Sequence, residues 1–84
     1  MGTLADEPDS LPPVGREQLV LFGARMRQLR EKVGLTQAEL AQQSGIDRVA
    51  ISQIERGQRD VGVVRAAAVA RALGVHPGEL FPSG

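Results

Sequence analysis

Apolar positions recur along most of the chain at the angular step of an α-helix, about 100 degrees per residue. Leu19, Phe22, Met26, Leu29 and Val33 are spaced by three, four, three and four, which predicts one amphipathic helix from Arg16 to a stop near Gly34. TQAE at 36–39 has the spacing of a capping box, a threonine and a glutamate that satisfy each other's free backbone amides. A short second helix is therefore expected from Gln37 to about Ser44, burying Leu40 and Ala41. Gly45 breaks it, and Asp47 suits the N-cap of a third helix lasting to Arg56–Gly57. GVVRAAAVARALG predicts a fourth helix with Val63, Ala66, Val69, Ala70 and Leu73 inward and Gly74 as its stop. The tail VHPGELF is expected to hold one last short turn or helix anchored by Val75, Leu80 and Phe81. No useful β-alternation or internal repeat interrupts this all-α pattern.

The third helix poses a question of its own. Ala50, Ile51 and Ile54 share one side of its wheel, while Arg48, Val49, Ser52, Gln53 and Arg56 fan across the other and Glu55 falls at the edge. A solvated face would mix acids with bases and leave out the valine. The second helix, the turn at Gly45 and the third helix make a helix-turn-helix over about 37–56, in which Ala41 is small enough for two crossing helices to approach. Such a unit leaves the outer side of its second helix projecting, and a projecting helix fits the DNA major groove. Arg48 can donate twice to guanine O6 and N7, and Gln53 can pair with adenine N6 and N7. Ser52 can donate or accept, and Val49 can pack on a thymine methyl. Arg56 and Arg59 suit phosphates, as do the first amides of the second helix at Gln37.

Bulk properties narrow the class. A chain of 84 residues permits one small domain. The absence of cysteine removes disulfides, thiolate metal sites and a cysteine nucleophile. With no apolar run of membrane-spanning length and no signal-peptide pattern, a cytoplasmic protein without a membrane partner is expected. The formal charge of zero conceals an asymmetry: residues 1–15 carry Asp6, Glu7 and Asp9 and no base, leaving ten bases against seven acids in the remainder. Nine of the ten bases are arginine, suited to two-pronged contacts with phosphate or guanine. Residues 1–15 are expected to be a disordered acidic arm and 16–84 the folded domain. His76 is the one histidine, so no metal site can be completed, and no nucleophile–base pair suggests an enzyme. So small a core also points to self-association.

Residues 22–81 resemble the helix-turn-helix family of phage Cro and cI repressors and xenobiotic-response-element regulators. RQLRE, GLTQAELAQQSGI, ISQIERGQR and ALGVHPGELF carry the likeness, and the DR…IS.IERG.R pattern is also similar to restriction–modification controller proteins. The resemblance implies a compact five-helix domain, no cofactor, and a homodimer binding double-stranded DNA at an inverted-repeat operator through the third helix. By position, base reading falls on Arg48, Val49, Ser52 and Gln53, and phosphate contact on Gln37, Arg56 and Arg59. Arg30 and Glu55 become an ion pair tying the first helix to the third, and the dimer surface falls on Val75, Pro77, Leu80 and Phe81. Arg25, Arg27, Arg65 and Arg71 read as solvated. The rival is a protein–protein module, an antitoxin or adaptor, which the acidic arm favours. Salt separates the two, because each phosphate neutralised on DNA adds about −0.9 to the slope of log affinity against log salt.

Overall fold

In a computed structural model of the chain, which describes residues 13–81, helix α1 runs from Pro13 to Val33. It begins three residues before the expected Arg16, because a proline in the first turn loses no helical hydrogen bond and has its φ already set. The rest of the expected arm, residues 1–12, lies outside the described residues. Phe22, Met26 and Leu29 are buried and Leu19 half-buried, as the periodicity predicts. Val33 is not: it is the last residue of α1, past the edge of the core, and stands exposed. The chain turns there, with the Gly34 and Leu35 amides both donating to the Arg30 carbonyl at 3.0 Å.

Helix α2 spans Gln37–Ser44 behind the expected capping box. The Glu39 amide donates to Thr36 Oγ1 at 3.0 Å, and the Thr36 amide donates to Glu39 Oε1 at 2.8 Å. Gly45 closes α2 with φ 75°, a left-handed conformation that a side chain would strain, and its amide donates to the Ala41 carbonyl at 2.9 Å. Helix α3, Arg48–Glu55, starts three residues after Gly45, its Val49 amide capped by Asp47 Oδ2 at 3.0 Å. Ala50, Ile51 and Ile54 are buried against α1 and α2.

Helix α4, Gly62–Leu73, buries Ala66, Val69, Ala70 and Leu73, but Val63 is 84 % exposed and not part of its inner side. The inward stripe begins one turn later than expected, because Val61, just before the helix, already fills that end of the core. After Gly74 the chain makes a single 3-10 turn, Pro77–Leu80. Among the described residues the expected five helices are four α-helices and one 3-10 turn, in which the Glu79 and Phe81 amides donate three residues back, to the His76 and Gly78 carbonyls. The His76 side chain caps this turn: its Nδ1 accepts from the Gly78 amide at 3.2 Å, while the His76 amide donates to Glu79 Oε2 at 3.1 Å. A histidine too isolated to complete a metal site thus holds the last element in shape. Among the described residues there is no strand, and no helix is long and apolar enough to cross a membrane.

Candidate nucleic-acid interface

With its isoleucines sunk into the core, α3 shows an outer side made of the residues the wheel singled out. Arg48 and Val49 are exposed, Val49 at 62 %, while Ser52 and Gln53 are half-buried. Arg56 and Arg59 stand exposed at the end of α3 and in the loop beyond it. Among the described residues the side chains of Arg48, Ser52, Gln53, Arg56 and Arg59 form no hydrogen bond or ion pair with the protein. Their donors and acceptors face water, ready to exchange it for another polar surface.

The opposite end of α3 is fixed with little freedom. A Cβ built on Gly23 of α1 would lie 2.2 Å from the Ile54 carbonyl oxygen and 2.6 Å from that of Glu55, so the two helices meet backbone to backbone. Gly57, just past α3, is similarly close to α1: its Cβ would meet the Val20 side chain at 2.8 Å. The sequence reading placed the close approach at Ala41 and missed both glycines. The available signal was Gly23 itself, a helix-weakening residue inside a helical pattern with no capping duty.

Beside this junction Arg30 and Glu55 form a buried two-pronged pair, Nε to Oε2 at 2.6 Å and Nη2 to Oε1 at 3.0 Å. The Glu55 hydrogen bond, with its charge, raises the Arg30 pKa above its ordinary value although burial acts the other way. The third arm of the guanidinium, Nη1, donates to the Leu35 carbonyl at 2.8 Å. Gln37 joins the cluster by donating from Nε2 to Glu55 Oε1 at 3.0 Å. That engagement ties the start of α2 to the end of α3. It also turns the Gln37 side-chain amide inward, and with the Glu39 amide bonded to Thr36, the backbone amides of Gln37 and Ala38 are the groups at this end suited to a phosphate.

The remaining arginines divide in the same way. Arg25 donates from Nε to the Glu79 carbonyl at 2.9 Å and from Nη1 to Gln28 Oε1 at 2.8 Å. Arg27 pairs with Glu31 one turn on, at 3.1 Å. Arg65 and Arg71 of α4 are exposed and, among the described residues, unpaired. Of the expected dimer surface, Val75 is half-buried, Pro77 exposed and Phe81 half-exposed, its ring 5.2 Å from that of Phe22. Leu80 must be removed from that set: it is 0 % exposed, anchored in the core of its own chain, and has no surface to offer a second one.

Comparison with known proteins places this geometry in context. Residues 26–80 match the model of a family described as helix-turn-helix. The chain is 40 % identical over 63 residues to the control protein C.BamHI of Bacillus amyloliquefaciens, covering 74 % of this chain and 78 % of that protein. The crystal structure of the restriction-modification controller protein C.AhdI from Aeromonas hydrophila superposes with a TM-score of 0.74 and 49 % identity, covering 75 % of this chain and 96 % of that one. The DNA-binding domain of BldD is also similar, with a TM-score of 0.72, 33 % identity, and coverage of 80 % and 97 %.

Proposed function

The chain belongs to the helix-turn-helix family of DNA-binding transcriptional regulators, and we propose that it recognises an inverted-repeat operator as a homodimer, with α3 of each copy in the major groove. One observation carries this reading: the outer side of α3 is a set of exposed or half-buried groups with unused hydrogen-bonding capacity, on a helix otherwise fixed at its base. Arg48 and Gln53 match the edge patterns of guanine and adenine, Ser52 serves either, and Val49 meets a thymine methyl. Arg56, Arg59 and the first amides of α2 at Gln37 hold the backbone on either side and set the register. The similarity to restriction-modification controllers supports a regulatory role of that kind.

A two-fold pair of such helices enters successive major grooves about 34 Å apart, so the two half-sites lie roughly ten base pairs apart. The tail supplies the surface that pairs the copies, through Val75, Pro77 and Phe81, with Leu80 anchoring it from inside. Selection of bound sequences from a random duplex pool tests the reading. The expected product is an inverted repeat at that spacing. A pool that enriches no duplex would turn the assignment to a protein partner.

A further inference from the structure

A concavity of about 470 Å³ opens between the start of α3 and the flank of α4. Gly45, Asp47 and Val49 around the start of α3, Arg59 of the following loop, and Val64 and Arg65 of α4 are among its lining residues. The sequence assigned Arg59 to a phosphate and Arg65 to plain solvent. The structure puts both on one concavity, next to a side chain expected to read bases.

The charges around this opening do not balance from within. Arg59 and Arg65 are exposed, and among the described residues neither has an ion pair or a hydrogen-bonded partner. Asp47, the acid in the lining, accepts the Val49 amide at 3.0 Å and pairs with neither arginine. Two guanidiniums lining one concavity against a single acid leave it net positive, and their planar forks suit phosphate oxygens. Exposed Val64 adds apolar surface on which the sugar carbons flanking a phosphate can lie.

We propose that this concavity seats a backbone phosphate of duplex DNA, with Arg65 as a contact residue beside Arg59. The site holds the N-terminal end of α3 against the backbone on the flank away from its buried C-terminal end. The inference rests on the DNA-binding reading above and adds to it a phosphate position on α4.

Arg71 supplies the control, since it is also exposed and, among the described residues, unpaired on α4 but does not line the concavity. The full chain and its Arg65→Ala, Arg65→Lys and Arg71→Ala variants are titrated against a fluorescent mixed-sequence duplex, by anisotropy, at rising potassium chloride. Melting by circular dichroism checks that each variant folds. Arg65→Ala is expected to lower the salt slope by about 0.9 per chain bound, the signature of one lost phosphate contact. Lysine, which keeps the charge, should restore most of it, and Arg71→Ala should match the unmodified chain. The site is refuted if Arg65→Ala keeps the full slope, or if Arg71→Ala loses as much. Should the unmodified chain itself bind neither this duplex nor any selected one, the failure belongs to the DNA-binding reading and takes this site with it.

Discussion

Arginines of α1 and arginines from α3 onward share one chemistry and have opposite fates. Arg25, Arg27 and Arg30 each find an acceptor within their own chain, whether a carbonyl, a surface glutamate or a buried one. Arg48, Arg56, Arg59 and Arg65 find none among the described residues. A side chain satisfied inside the fold contributes to stability, and its loss exposes or strands a partner. One left unsatisfied at the surface costs folding nothing, because water serves it, and gains value only when other acceptors arrive. The contrast separates two kinds of residue that the sequence prints with the same letter: those engaged within the fold, among which Arg30 ties α1 to α3, and those left facing solvent on α3 and beyond it. Substitutions in the first group should lower stability, and those in the second should alter binding with the fold intact.

The largest effect is expected at Glu55. Replacing it with alanine strands the Arg30 guanidinium in the interior and removes the acceptor of Gln37. Loss of one partner of a buried pair costs about 3–5 kcal/mol, a large part of a small domain's stability. Urea unfolding measures it, and Glu55→Gln, which keeps an acceptor oxygen, should lose less. A cost below about 1 kcal/mol for the alanine variant would mean that the pair does not hold α1 to α3.

Next comes Gly23, where the sign of the effect is informative. Glycine to alanine inside an unobstructed helix stabilises by about 1 kcal/mol. Here the added methyl would meet the Ile54 carbonyl at 2.2 Å, backbone that cannot rotate away. A loss of about 1–3 kcal/mol is expected instead, with DNA affinity falling too as α3 shifts outward. A gain in melting temperature would show that the helices have room to separate.

These two sites also mark where the sequence stops being readable. Helix starts and stops were legible because they are local: the TQAE box, the Asp47 cap, and the glycines at 45 and 74 act on neighbours within a few residues. The inward side of α3 was legible for the same reason, since periodicity alone orients it. Glu55 sits at the edge of its wheel, and its burial depends on Arg30, 25 positions away, which only the family resemblance supplied. The Gly23 approach is equally non-local. Val33 and Val63 misled because they continue an apolar rhythm past the ends of the core, where nothing remains to cover them. His76 caps its turn with a ring nitrogen, a role that the usual capping residues do not advertise. Of the candidate interface, residue types and outward placement were legible, but the inward turn of the Gln37 amide was not.

Arg48 tests the other side of the contrast. Arg48→Ala removes no hydrogen bond or ion pair within the described residues, so unfolding should shift by no more than about 0.5 kcal/mol. Affinity for the selected duplex should fall by about 1–3 kcal/mol, with relaxed preference at one base pair. Competition among duplexes changed at single positions checks it. A uniform loss across all of them would make Arg48 a backbone contact and remove it from the reading set.

The smallest expected effect falls on Glu31, and its smallness is the point. Arg27 has a partner, as Arg30 does, yet the side chains of the Arg27–Glu31 pair are 64 % and 56 % exposed. Water screens both charges, and holding two long side chains together costs entropy, so the pair should contribute only about 0.3–0.5 kcal/mol. Glu31→Ala should lower stability by no more than that, and the difference should vanish in high salt. It should also leave the base preference of the duplex unchanged. If Glu31→Ala were instead as damaging as Glu55→Ala, having a partner would matter more than being buried. The division between holding and presenting residues would then need to be drawn by contact alone.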